Sequence, residues 1–169
     1  MEICSKTSTI LLAEDDEDDR VLVQSAFEES RSGGELHFVE DGEDLLDYLR
    51  RRGKYAALVG SPLPRLVLLD LNMPRKDGRE ALREIKADPA LRAIPVVVLT
   101  TSRREEDVCH SYDLGVNSFI VKPMSFDSLV EVVTVLRKYW FEIVELPPLA
   151  LPARPAPEAR GAAEAKEDQ

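Results

Sequence analysis

Leu66-Val67-Leu68-Leu69-Asp70-Leu71-Asn72-Met73-Pro74 is the stretch that decides the fold. Its first four residues are continuously apolar, the pattern of a parallel strand covered on both faces. A carboxylate follows at once, where such a strand leaves its sheet, and Pro74 and Gly78 then break the chain. Working outward, four more short apolar runs follow, Ile10–Ala13, Leu36–Val39, Ile94–Leu99 and Ser118–Val121, of which the first and third are also continuously apolar. Between them lie segments of helical period. In 18–31, Val21, Leu22, Ala26 and Phe27 fall on one face; Leu45, Leu46 and Leu49 repeat that spacing, and Ala81, Leu82, Ile85 and Lys86 do so less cleanly. Strict alternation of strand and helix predicts an α/β fold with a doubly wound, five-stranded parallel sheet in the order 2-1-3-4-5.

Two stretches leave this rhythm. Gly53–Pro64, with Gly60, Ser61, Pro62 and Pro64, is a surface excursion before the third strand. From Pro147 the chain is rich in Pro, Ala and Glu without hydrophobic period, so 147–169 is expected to be a disordered tail. The organisation expected is a leader over 1–8, one domain over 9–139, an arm over 140–146 and the tail.

Composition narrows the function. A net charge of −10 argues against a nucleic-acid partner, because no basic stripe is available for phosphates, and suits a divalent cation or a basic partner surface. Cys4 and Cys109 make no disulfide framework. No apolar run approaches the roughly 20 residues that span a bilayer, and the first residues lack a signal-peptide core. The expected location is cytoplasmic, with no membrane partner.

In a sheet of this order, ligands bind at the carboxyl ends of the strands where the order reverses. Strand one ends in Glu14, Asp15 and Asp16, strand three in Asp70, strand four in Thr100, Thr101 and Ser102, and strand five in Lys122-Pro123. Gathered carboxylates repel one another and call for a hard cation; magnesium, with its taste for one or two carboxylates plus phosphate oxygens, matches Asp15 and Asp70. Lys122 adds a cation able to pair with a phosphoryl group, and Thr100 a hydroxyl. A carboxylate nucleophile, a metal and two stabilisers of phosphoryl oxygens make a phosphoryl-transfer site.

The blocks ILLAEDD, LVLLDLNMPRKDG, VVVLTTS and FIVKP, in this order, resemble the signature blocks of bacterial two-component receiver domains, over about residues 9–139. The resemblance implies a flavodoxin-like fold in which Asp70 accepts a phosphoryl group from a sensor histidine kinase. It implies that Asp15 ligates Mg2+ directly, Glu14 does so through water and Asn72 through its backbone carbonyl. Thr100 and Lys122 would hold phosphoryl oxygens, the Lys122–Pro123 peptide would be cis, and Thr100 with Phe119 would be the switch that repacks helix four, strand five and helix five. Asn72 and Ser102 flank the path of attacking water and would tune the lifetime of the phosphorylated state. Autophosphorylation and autodephosphorylation would be side activities of a signalling domain rather than substrate turnover.

The acidic run from Glu14 to Asp19 has a plainer reading as a solvated helix start, which is assigned to Asp18 or Asp19 but not to Glu14 or Asp15. Thr101 or Ser102 could take the place of Thr100 by a one-residue register shift. His37 and His110 are assigned no chemistry. Helix five is apolar over more than half its circumference through Leu129, Val130, Val132, Val133, Val135 and Leu136, followed by Tyr139, Trp140 and Ile143. Either this helix is buried under neighbouring chain, or it offers a dimer surface. The second reading is preferred, with Leu129, Val132, Val133, Leu136, Tyr139 and Trp140 as its residues, in a homodimer through helix four, strand five, helix five and the arm. The YWFEIVELP segment and the long excursion are similar to those of phytochrome-associated regulators without an output domain. That makes a phytochrome-type kinase the favoured partner, with a histidine phosphotransfer protein as a second. Two other classes fit the residues less well. An aspartyl phosphatase usually carries a second acid two residues after its nucleophile, where this chain has Asn72, and no helix-turn-helix follows helix five to make a transcription factor.

Overall fold

The computed structural model describes residues 8–31 and 33–148. The expected leader over 1–8 and tail over 147–169 therefore lie largely outside the described residues.

Five parallel strands form one sheet: β1 (Thr9–Ala13), β2 (Glu35–Val39), β3 (Leu66–Leu69), β4 (Val96–Thr100) and β5 (Ser118–Val121), in the order β2-β1-β3-β4-β5. The helices are α1 (Glu17–Glu29), α2 (Gly42–Arg50), α3 (Gly78–Ala87), α4 (Glu105–Asp113) and α5 (Phe126–Lys138). Each strand of the sheet's centre feeds both cores, because alternate residues point to opposite faces. Leu11, Ala13, Val67, Leu69, Val96 and Val98 pack with α2 and α3. Ile10, Leu12, Leu66, Leu68, Val97 and Leu99 pack with α1 and α5. This two-sided demand is why β1, β3 and β4 read as unbroken apolar runs.

Helix starts are set by side-chain caps. Asp16 accepts from the amides of Asp18 and Asp19, Asp41 from that of Asp44, and Ser125 from that of Ser128. Asp77 and Glu80 form a reciprocal capping box at α3. The exception is α4, which has no side-chain cap. At the far end of α2, Arg51 adopts a left-handed conformation and its buried guanidinium donates to the carbonyls of Tyr48, Ser61 and Pro62. The excursion thus carries a 3₁₀ turn, Gly53–Leu58, and is clamped from beneath, with Leu63 and Pro64 buried.

Three expectations are corrected. On α1, Val21 and Leu22 are exposed, and Val23, Ala26 and Phe27 make the buried face. On α5, Leu129, Val133 and Leu136 are buried in the chain's own core against α1 and the sheet, so they cannot form a dimer surface. Val132 and Trp140 are half-buried on that core, which leaves Tyr139 (47% exposed) with Val135 (66%) and Ile143 (62%) as the outward apolar side chains. Third, the Lys122–Pro123 peptide is trans, as are all others among the described residues; trans is the intrinsically favoured isomer before proline. No helix among the described residues is long and apolar enough to cross a membrane.

Candidate functional site

Strand register brings the polar ends together. Ala13 pairs with Leu69, and the amide of Asp70 donates to Ala13 O at 3.0 Å, so Glu14 and Asp70 leave the sheet side by side. Thr100 pairs with Val121, and the Lys122 amide donates to Thr100 O at 2.7 Å. Thr100 is the last residue of β4 and fully buried, Thr101 is exposed and Ser102 is half-buried.

The carboxylate oxygens of Glu14, Asp15 and Asp70 lie within 4.8 Å of one another. Glu14 and Asp70 are buried and Asp15 is exposed at the rim. The ammonium of Lys122 donates to Glu14 and, at 2.8 Å, to Asp19 Oδ2, and it stands 3.8 Å from Asp70 Oδ2. Burial pushes the Glu14 carboxyl up to about 7 against the pull of Lys122, with the negative charge of Asp70 adding to the rise. Burial alone would lower the Lys122 amine, but hydrogen bonds to Asp19 and Glu14, and the charges of Glu14 and Asp70, outweigh it and raise it.

Asp19 is the residue that sequence reasoning missed. The cap at Asp16 fixes the phase of α1 so that Asp19, one turn in, faces back to the sheet edge and meets Lys122. Its acidic neighbours masked it, and Asp18 is indeed exposed. Asn72 is exposed, and its amide lies 3.4 Å from Asp70 Oδ1. Phe119 is half-buried on the α2–α3 side of the sheet. His37 is held by Tyr48 at 2.6 Å, a packing role.

The donor set fits a hard divalent cation. One ammonium faces four carboxylates, Glu14, Asp15, Asp19 and Asp70, and is engaged mainly by two of them, so the Asp15–Asp70 side keeps uncompensated negative charge and offers only oxygen ligands.

An acidic pocket at the carboxyl edge of a 2-1-3-4-5 parallel sheet, with a lysine beside its central aspartate and a buried threonine at the next strand end, is the arrangement of a receiver domain of the two-component type. The chain belongs to the response regulator receiver domain family, whose model matches residues 10–134. It is 46% identical over 138 residues to the response regulator Rcp1 of Synechocystis, covering 82% of this chain and 92% of Rcp1. The crystal structure of the phosphorylated cyanobacterial phytochrome response regulator RcpA is 45% identical, with a TM-score of 0.77 over 83% of this chain and 99% of that one. The Mn(2+)-bound form of Rcp1 is also 45% identical, with a TM-score of 0.75 over the same shares. The chain is thus a receiver domain, a signalling module of a class that takes phosphoryl groups from histidine kinases and binds a divalent metal at an acidic pocket.

Proposed function

We propose that this chain is a response regulator receiver whose Asp70 accepts a phosphoryl group from a sensor histidine kinase of the phytochrome type, with Asp15, Asp70, the Asn72 carbonyl and, through water, Glu14 as the groups that would hold Mg2+. The observation that carries the reading is the convergence of Asp70, Asp15, Thr100 and Lys122 from four strand ends upon one edge of the sheet. The Asp70 carboxylate attacks phosphorus in line; the new Oδ–P bond forms as the N–P bond to the donor imidazole breaks, and the imidazole takes up a proton. A bound divalent cation supplies positive charge that offsets repulsion between the carboxylates and the incoming phosphoryl oxygens.

Lys122 would then exchange its carboxylate partners for a phosphoryl oxygen, and the Thr100 hydroxyl would take another. The inward move of Thr100 frees space into which Phe119 turns, a population shift biased by a local change of charge. The relatives named above support a phytochrome-type donor, since RcpA is described as a phytochrome response regulator. Onward transfer to a histidine phosphotransfer protein uses the same acyl phosphate. The proposed setting is the cytoplasm, the proposed organisation 9–139 as receiver and 140–146 as arm. A homodimer would use Tyr139 together with Val135 and Ile143 rather than the buried part of α5.

Incubation with acetyl phosphate and Mg2+, read by intact mass, tests the chemistry. A phosphoryl adduct that requires the metal and is absent from Asp70→Asn is expected. An adduct that persists in Asp70→Asn would overturn the assignment.

A further inference from the structure

Helix α4 is held to this molecule differently from every other helix. The side chains it buries are Asp107 and Ser111, both polar, whereas α3 buries Ala81, Leu82 and Ile85 and α5 buries Leu129, Val133 and Leu136. It lacks a side-chain cap. The hydroxyl of Ser111 is buried with no hydrogen-bond partner, so docking the helix in this position costs desolvation that nothing returns. Apolar anchorage is limited to half-buried Val108 on the helix and to Leu114 and Val116 past its end.

What holds the start of α4 is a charged contact across three elements. Asp107 is 8% exposed and accepts from Arg79 of α3 through Nε at 3.0 Å and Nη2 at 2.6 Å. Its other oxygen accepts from the Ser102 hydroxyl at 2.6 Å. Ser102 sits two residues after Thr100, and its amide lies 3.4 Å from Thr100 Oγ1. Arg79 is rooted beside Asp70: Gly78 before it donates to Leu71 O at 2.9 Å and touches the Asp70 carbonyl. Two charge-assisted hydrogen bonds from one guanidinium to a carboxylate oxygen of low exposure are of the strong kind.

We propose that Arg79, Asp107 and Ser102 form a latch that fixes the β4–α4 connection, and with it Thr100, in the resting arrangement, so that Arg79 and Asp107 are positioning residues setting how readily the domain is switched. The inference rests on the reading of Thr100 as a phosphoryl-oxygen partner. Any inward movement of Thr100 pulls on Ser102, and Ser102 is tied through Asp107 of α4 to Arg79 of α3. Opening the latch releases α4 locally, because little apolar surface opposes it. The unphosphorylated chain then samples the switched arrangement more often, and a donor that favours that arrangement reacts faster.

The test uses the full chain and two readouts. Hydrogen exchange of the unphosphorylated protein reports the hold on α4 through amides of 101–114. The rate of adduct formation at Asp70 from acetyl phosphate and Mg2+ reports the coupling. In Asp107→Asn and in Arg79→Gln, exchange over 101–114 is expected to quicken about tenfold, from the loss of charge-assisted hydrogen bonds, with β1 and β3 unchanged. Phosphorylation is expected to quicken about threefold or more, as the competent population rises. Ser111→Ala removes the unpaired buried hydroxyl and should act oppositely, slowing both, so the idea stays testable even if an Asp107 variant folds poorly. Unchanged exchange over 101–114, or quickening spread evenly over the sheet, overturns the latch. Faster exchange with an unchanged phosphorylation rate overturns its coupling to Thr100. Failure of the parent chain to form any adduct would instead strike the phosphoacceptor reading, while the exchange data would still judge the latch.

Discussion

Replacing Gly78 by alanine tests how tightly the strand end that carries Asp70 is packed. Gly78 opens α3 with ordinary helical backbone, so alanine ought to favour the helix, by up to about 1 kcal/mol in an interior position. The surroundings reverse that sign. A Cβ on Gly78 would lie 2.1 Å from the carbonyl oxygen of Asp70, 2.8 Å from Leu71 Cα and 3.0 Å from the Asp70 carbonyl carbon. Ordinary contact begins at 3.4 Å, so the first of these must open by about 1.3 Å. All three atoms are backbone, so no side chain can swing away; either α3 lifts or the Asp70–Leu71 peptide moves. Overpacking of this kind costs about 1–3 kcal/mol. An error of about 1 Å in the position of a reacting group costs on the order of 10²-fold in rate. Gly78→Ala should therefore lower urea stability by that amount and slow adduct formation at Asp70 by one to two orders of magnitude. Gly33→Ala, where a Cβ meets nothing within 4 Å, serves as the control and should change neither. A Gly78→Ala protein as stable as its parent and phosphorylated at the same rate would refute the packing argument. Lower stability with an unchanged rate would show that α3 moves away and leaves Asp70 in place.

Val133→Ala, at a fully buried site, should cost about 2 kcal/mol by urea unfolding, while Val135→Ala on the same helix should stay within about 0.5 kcal/mol. The Ser102 hydroxyl and the Arg79 guanidinium hold the Asp107 carboxyl below its ordinary 3.8 despite burial. A depressed carboxyl adds stability above the unfolded value and loses it as pH falls through the folded value, so the parent should lose an increment below about pH 4 that Asp107→Asn lacks, measured by Tm against pH. Mg2+ or Mn2+ titrated into the protein should raise Tm, by the equivalent of about 2.7 kcal/mol at a hundredfold excess over Kd. Asp15→Asn should abolish most of that rise, and a Tm that ignores both ions would count against the acidic pocket as a metal site.

The sheet was legible because its strands are covered on both faces: Leu66–Leu69 and Ser118–Val121 appear with the bounds expected, and β1 and β2 begin one residue earlier. The helices were less so, and α1 shows why. Val21, Leu22, Ala26 and Phe27 share a helical face on paper, but α1 starts at the carboxyl edge of the sheet and its first turns overhang that edge. The burying set is Val23, Ala26 and Phe27. On α5 the apolar surplus was visible but not its destination, since which half of a wide stripe meets α1 is set by packing. Asp70, Glu14, Asp15, Thr100 and Lys122 could be placed together because topology alone brings strand ends to one edge. Asp19 on Lys122 and Arg79 on Asp107 could not, because such long-range pairs depend on the rotation of helices about their own axes.

The packing around Asp70 also constrains where a change of charge there can be felt. A phosphoryl group on Asp70 would add negative charge to a pocket that already sets four carboxylates against one ammonium. The strand beneath resists displacement, since Leu66–Leu69 are wholly buried and Val67–Leu69 are paired on both sides. So does α3, which Gly78 brings into contact with the Asp70 carbonyl. Lys122 and Thr100 remain, at the ends of β5 and β4. Lys122 is free to trade carboxylates for a phosphoryl oxygen with little net change in partners. Thr100 is not, because it leads through Ser102 into the one helix whose docking rests on charge rather than on apolar area. On the proposed reading, Asp70 is phosphorylated and the Thr100 hydroxyl moves toward a phosphoryl oxygen. The stiffest packing then lies under Asp70 and the helix with the least buried apolar area among the described helices lies next to Thr100, so a change at the first would be relieved by displacement of the second.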